Sequence, residues 1–574
     1  EQLTAASRAH LEAGNLSAPI RDTTTYSYTC MYSLGLRFDL AREHTNQFQG
    51  TLPQHYESQH FYHWSQARIS QRSSDHRSAL THSKRGRQLG QRMGNQKFED
   101  YINHEYSNTL QNLGKFEESA AIFRERVSRI SADSLHCEDA INLNGLGWAE
   151  LLHRRHLKND VSTLGHSKSQ SLPDPQEHFE RALAISEQPG ICRKQQAEDT
   201  NSLINLALLA LDKEQTRAAE SYLSRAIKNG PHPKVYKLWI EHLQAKLALA
   251  QNKSTQALKH FDHVLKLSET TKDPYQYWLA LAGKASTLAH QGRHEAAQTI
   301  WVQAQRFMEQ ESLHTPIHNG RANFLSERQH ATQSYVESLL SAGQEQLALQ
   351  VIHRARRQLL QSLQWTRKVE NLRGAERTQW ELALANYQNS RTELQELKQN
   401  LWQVAQENLD DVNRQIDQLN DEVHQNLDHN FAILGLKREE QTSQPISGQL
   451  ELGEIELTYF KLSNRWIGFA ATNDSVSYKS LGELPTEASN ENLAEILLIP
   501  FIQDITSAKK ISLKPWGILR QIDFHALPLA GLPLLAHAPI KYSLGLLKPS
   551  NQQSQLSTVT IVSDPTGNLA QARA

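Results

Sequence analysis

The sequence predicts a three-part chain: a solenoid of paired α-helices, a long helical hairpin, and a C-terminal α/β domain. Three observations predict this fold class. Small and apolar residues recur at helical spacing in paired runs between residues 101 and 362. Residues 365–430 contain one glycine, Gly374, and no proline, and they carry a heptad-like apolar seam. After about Ser443 the apolar period changes from helical to alternating. The 574 residues are 38% hydrophobic and 21% charged, too apolar for a disordered chain. Lys and Arg number 61 against 62 Asp and Glu, which excludes a polycation for wholesale nucleic-acid or membrane-surface binding and leaves only local patches.

Residues 1–100 are expected to form an irregular helical region. Leu3 to Leu16 reads as one helix of a damaged repeat. The stretch 64–98 is basic, with Arg68, Arg72, Arg77, Lys84, Arg85, Arg87, Arg92 and Lys97 against Asp75 alone. It is a candidate ribonucleoprotein contact. Aromatic residues are not interleaved with these charges as a stacking platform requires, which favours a solvated helix face and loop.

Residues 101–362 carry the repeats. In 200–231, Leu203, Leu206, Ala207 and Ala210 make one helical stripe, Ala219, Leu223 and Ala226 a second, and Pro231 closes the unit. Leu281, Ala285, Leu288, Gly292, Ala297, Trp301 and Ala304 repeat the pattern, as do Leu339, Gly343, Ala348, Ile352 and Ala355. Ala245, Ala248, Ala257, Phe261 and Val264 form another copy, with Asn252 in place of the turn glycine. Leu113–Glu118 with Ala120 and Phe123 is a fifth. A sixth is split: Leu146 and Gly147 open it, Phe179, Ala182 and Pro189 finish it, and Lys158–Pro175 reads as an insertion. This is the tetratricopeptide (TPR) pattern, with longer steps than its 34-residue ideal. The alternative is a generic helical bundle with Ala-rich contacts; turn glycines and small residues recurring in phase favour the solenoid.

Residues 363–440 read as a connector. Leu394, Leu397, Leu401 and Val404 follow a 3-4-3 spacing; after a skip, Leu409, Val412, Ile416, Leu419 and Val423 resume it. An intramolecular hairpin is favoured over a dimerising coiled coil. In 441–574, Glu456–Leu462, Trp466–Thr472, Val476–Leu481, Lys510–Leu513, Pro539–Tyr542 and Thr558–Val562 read as strands and Leu493–Ile505 as a helix.

The last segment resembles the CHAT family, caspase-like cysteine peptidases carried behind TPRs. Within Ile511–Leu546 the matching residues are Pro515, Gly517, Leu519, Ile522, Phe524, Ala526, Leu527, Pro528, Tyr542 and Ser543, and Thr560–Ala572 (TIVSDPTGNLAQA) resembles the block that follows. The resemblance covers roughly the last 130 residues and implies a sheet flanked by helices, bearing a His–Cys dyad in which histidine activates the thiol for attack on a carbonyl. Both dyad residues fall C-terminal to the matched blocks. No residue of this sequence occupies either position, so no catalytic residue is assigned and the segment is expected to be the non-catalytic first part of such a domain. The chain begins at Glu1 and stops at Ala574, and both ends are expected to be cut or processed. His525 lies in the wrong block and reads as a packing or capping residue. His136 and Cys137 are adjacent on a repeat helix and do not face each other.

The resemblance implies a partner-regulated peptidase in which the array binds a protein or ribonucleoprotein activator and the CHAT domain cleaves a protein substrate, in bacterial defence or cell death. The alternative is a non-enzymatic TPR adaptor with a degenerate CHAT remnant. No Walker, GxGxxG or HExxH motif is present, and no cofactor is expected. His55, His60 and His63, near Cys30, make a weak candidate for a metal site, so none is assigned. Cys30, Cys137 and Cys192 are too few and scattered for a disulfide framework and fit a reducing, cytoplasmic setting. The longest apolar stretch, around Leu493–Ile502, contains Pro500 and is too short for a bilayer. Trp148, Trp239, Trp278 and Trp301 lie at helical spacing and read as packing residues. By phase, Asn201, Trp239, His242 and Lys246 are the candidate partner-binding residues on the concave face made by first helices.

Overall fold

A computed structural model of the chain describes residues 56–543, apart from 160–172, 193–197, 313–327, 434–449 and a few shorter stretches. The expectations for Leu3–Leu16, Cys30, His55, Thr558–Val562 and the Thr560–Ala572 block lie outside the described residues.

Among the described residues, three helices come first: α1 (Tyr56–Arg72), α2 (His76–Met93) and α3 (Gln96–Asn112). They pack on one another, with Trp64 stacked on Tyr101. Then come the helix pairs. α3 precedes α4 (Phe116–Val127), and α5 (Cys137–Asn159) pairs with α6 (Pro175–Ser186). α7 (Glu198–Asp212) pairs with α8 (Thr216–Lys228), α9 (Lys234–Ala250) with α10 (Ser254–Thr271), α11 (Pro274–His290) with α12 (His294–Ser312), and α13 (Gln329–Ser341) with α14 (Glu345–Asn371).

One turn is reused between paired helices, and its chemistry explains the sequence pattern. Gly114, Glu214, Asn252, Gly292 and Gly343 all have positive φ, between 58° and 75°. At each, the next residue's N–H reaches back to close the preceding helix: Lys115 to Leu110 O, Gln215 to Ala210 O, Lys253 to Ala248 O, Arg293 to Leu288 O and Gln344 to Leu339 O. This is the left-handed C-cap that satisfies the last carbonyls of a helix, and it favours glycine. Close packing supplies the second constraint. A Cβ at Gly283 would lie 2.3 Å from the Phe261 ring, so the α10 phenylalanine fits only against a bare backbone on α11.

The 362/363 division falls inside α14, one continuous helix, and the 100/101 division falls inside α3. α15 (Gly374–Asn400) and α16 (Leu409–Ile433) form an antiparallel hairpin. Leu394, Ile416 and Leu419 share one cluster, with Leu397, Val412 and Val423 against it. The break in the heptad after Val404 is where the chain turns.

Among the described residues, the C-terminal region holds a five-stranded mixed sheet ordered β3-β2-β1-β4-β7. β1 (Glu454–Lys461), β2 (Trp466–Ala471) and β3 (Val476–Gly482) form an antiparallel meander, whereas β4 (Lys510–Lys514) and β7 (Ile540–Tyr542) run parallel to β1. β5 (Pro528–Leu529) and β6 (Leu532–Pro533) make a separate small ribbon. The helix expected at Leu493–Ile505 is divided: α17 (Asn490–Leu497) and α18 (Ile502–Ser507) flank a 3₁₀ turn at Ile499–Phe501. Pro500 removes a backbone donor and breaks the helix there. The sheet lies between two helical layers. Tyr459 on β1 donates its hydroxyl proton to Leu497 O of α17, while the alternate residue Glu456 meets His353 of α14. Residues of α11–α14 and of the sheet belong to one hydrophobic core.

The cysteines depart from the sequence reading. Cys137, at the start of α5, and Cys192, after α6, form a disulfide across a sequence separation of 55. The two residues are distant in sequence, but the α5/α6 pair brings its outer ends together, so scatter along the chain did not preclude pairing. The reading of these thiols as reduced is therefore corrected. No described helix is long and apolar enough to cross a membrane.

Candidate functional site: the inner face of the helical array

Side chains from five repeat helices converge on the inner face. α5 supplies Trp148 and Arg155, α7 supplies Asp212, and α9 supplies Trp239 and Lys246. α11 supplies Tyr275 and Trp278, and Arg328 and His330 lie at the start of α13. Seven residues separate Trp148 from Arg155 and Trp239 from Lys246. Seven residues are nearly two full turns, so tryptophan and cation lie on one stripe about 10 Å apart.

The ring system is continuous. Trp148 and Trp239 meet edge to face at 5.8 Å and 81°. Trp239 lies 6.2 Å from Tyr275, which lies 6.2 Å from Trp278. The Arg328 guanidinium sits 5.5 Å from both the Tyr275 and Trp278 rings. Trp148, Trp239 and Tyr275 are half-buried.

One carboxylate serves two cations. Arg155 Nε donates to Asp212 Oδ2 at 2.8 Å, and Lys246 Nζ lies 3.9 Å from Asp212 Oδ1. Burial, then Arg155, lowers the Lys246 pKa to about 8 against the opposing pull of Asp212. His330 is lowered by burial and then by Lys246 and Arg155. Yet the side chains of Lys246 and Arg155 each keep 35% of their surface open, and Asp212 keeps 28%. Charged groups that keep this much open surface are reached by water rather than sealed in packed core.

The four sequence candidates separate here. Trp239 and Lys246 share the inner stripe. His242 is buried between the Trp239 and Phe261 rings, and burial followed by the Lys246 charge lowers its pKa to about 3. It is a neutral packing group buried away from solvent. Asn201 lies toward the other end of α7 and donates to Glu198 Oε2 at 3.2 Å. Burial raises the Glu198 pKa to about 7. Trp148, Arg155 and Asp212 were missed; the signal was the repeated seven-residue spacing from tryptophan to cation.

The basic segment 64–98 divides by environment. Arg68 pairs with Glu105 at 2.8 Å, Arg72 and Arg77 are half-buried, and Arg87 lies over the Tyr106 ring at 4.6 Å. Lys84, Arg85 and Arg92 are exposed on α2. His60 is buried against Phe98 O and His63 faces His82, so the two do not share a ligand. Among the described residues no cluster of His, Cys, Asp and Glu has a metal-binding arrangement. Trp301 is packed on Tyr335. Asp523 caps the backbone N–H of His525, whose ring lies 5.3 Å from Tyr542.

A second charged cluster joins array and sheet. Glu456 of β1 accepts from His353 of α14 at 2.9 Å, Lys514 of β4 at 2.5 Å and Thr458 at 3.1 Å. Burial opposes ionisation of Glu456, but His353 and Lys514 overcome it and hold the carboxyl down at about 2. Gln333 donates to Lys461 O, Arg465 pairs with Glu337, and Arg356 donates to Ser543 O.

No family model and no curated protein matches the chain. Among solved structures, the human IFIT1 dimer with PPP-AAAA is similar over 72% of this chain and 90% of that chain, at 12% identity and a TM-score of 0.33. Yeast Tom70 is similar over 61% of this chain and 96% of that chain, at 11% identity and a TM-score of 0.17. Likenesses this loose add nothing to the repeat assignment, which rests on the helix pairs and their shared turn.

Proposed function

We propose that this chain is the partner-binding and first, non-catalytic part of a caspase-like (CHAT) cysteine peptidase, with a TPR array that receives a protein or ribonucleoprotein activator. The dyad belongs to sequence C-terminal to the matched blocks, and the substrate is a protein. The observation that carries this reading is the seam between α14 and the sheet. An array that only tethered a partner would need no common core with the sheet. Here His353, Arg356 and Gln333 bond directly to strand residues, so displacement of α13–α14 by a bound partner would move β1.

The non-enzymatic adaptor reading predicts the same binding without cleavage. The test is proteolysis by the complete gene product with its activator, mapped by mass spectrometry of new peptide termini, with the strand-end cysteine replaced by alanine as control. Cleavage that disappears in the alanine variant supports the peptidase; cleavage unchanged by it, or none with activator bound, supports the adaptor.

A further inference from the structure

We propose that the inner face of the helical array is a nucleotide-binding site, taking a planar base against the corner made by Trp148 and Trp239 and its phosphates at Arg155 and Lys246. The proposal stands apart from the peptidase reading and needs no catalytic residue.

Three observations carry it. First, the two indoles form a right-angled corner that remains partly exposed. Such a corner offers an incoming planar ring one face to stack on and one edge to abut. Second, the two cations lie on the same stripes as the two indoles, seven residues along each helix. That separation of about 10 Å suits an elongated ligand with a ring at one end and negative charge at the other. An inorganic anion would use only the cationic end. Third, the charge is out of balance. Among the described residues, Arg155 and Lys246 share the carboxylate of Asp212, two cations to one anion. Asp212 would remain as a like-charged neighbour of the phosphates, so it sets the spacing of the cations rather than touching the ligand favourably. Burial first, and the neighbouring Arg155 charge second, depress the Lys246 pKa against the pull of Asp212.

The shared chemistry, base plus phosphate, has two sources: a free nucleotide, or the phosphorylated end of a single-stranded oligonucleotide. An acidic peptide is a different partner. It would match the cations, but a run of carboxylates makes no use of the indole corner.

The experiment is titration of the full chain, followed by quenching of tryptophan fluorescence and by calorimetry. The probes are ATP, UTP, inorganic triphosphate, a 5′-phosphorylated four-nucleotide RNA and a poly-glutamate peptide. Saturable binding of the nucleotides or of the RNA, tighter than inorganic triphosphate, is expected; whichever is tighter identifies the source. Lys246→Gln and Trp239→Leu are each expected to weaken binding about tenfold, and Lys228→Gln, exposed at the end of α8, to leave it unchanged. Circular dichroism and the melting temperature confirm that each variant is folded. Trp148→Phe, a milder change, is expected to retain the fold and most of the affinity but to lose part of the quenching. Binding should weaken above pH 8 as Lys246 loses its proton. The proposal is overturned if no nucleotide or RNA saturates the chain, if triphosphate or the peptide binds as tightly as the nucleotides, or if folded Lys246→Gln binds like the parent.

Discussion

The two charged clusters of the array differ in access to water. At the α14–sheet seam, Glu456 faces Lys514 and His353, with the buried Arg356 guanidinium also near it, and Glu456, His353 and Lys514 keep only 5%, 9% and 9% of their side-chain surface. On the inner face, one carboxylate faces two cations that keep about a third of theirs. In a sealed cluster the ionised groups must find their partners among protein groups, because nothing else can reach them. An open cluster can remain unbalanced, because water or a ligand completes it. The seam therefore reads as a joint and the inner face as a receptor.

The largest expected effect is at the joint. Glu456→Ala leaves Lys514 buried without its partner and should cost about 3–5 kcal/mol in urea unfolding. Asp212→Asn, the equivalent change on the inner face, should cost less than about 1 kcal/mol because water screens the cations left behind. Equal costs would break the comparison.

Second in size is the disulfide. Cys137→Ser should cost about 2–4 kcal/mol, read as a lower melting temperature that reductant reproduces in the parent and not in the variant. Third is Gly283→Ala, whose new Cβ meets the Phe261 ring. A cost of about 1–3 kcal/mol is expected from the same unfolding assay.

The pH dependence sharpens the contrast further. His353 is held neutral by burial, against the pull of Glu456, and Glu456 is held ionised down to about 2. Both groups bind fewer protons folded than unfolded. Their contribution is therefore intact above about pH 6.5, the histidine's ordinary value, and declines as pH falls toward 2. Acid unfolding of Glu456→Gln should show a shallower slope across that interval than the parent.

Much of the array is legible in the sequence because its turns obey one local rule. Gly114, Gly292, Gly343 and Asn252 are residue types that accept positive φ, and they mark the helix ends. Glu214 does the same job without the matching chemistry, and only the in-phase Ala and Leu positions reveal that turn. The inner face is half legible. Trp239 and Lys246 lie within about 20° of each other around the helix, whereas His242 is turned about 60° away, enough to enter the seam with Phe261. Asp212 was invisible because its role depends on two other helices. The joint was not legible either. Glu456 sits in an alternating strand, where a charged residue reads as solvent-facing. That face is covered by α14, about a hundred residues earlier, and no local pattern announces the contact.

The central claim is that array and sheet open as one body through the α14 joint. Native-state hydrogen exchange across a urea series tests it most directly, following peptides that cover Val351–Arg356 and Ile455–Phe460. The account predicts that both converge on one opening free energy in the parent and that Glu456→Ala lowers both together. Sheet peptides that open at lower free energy while α14 stays protected would contradict it.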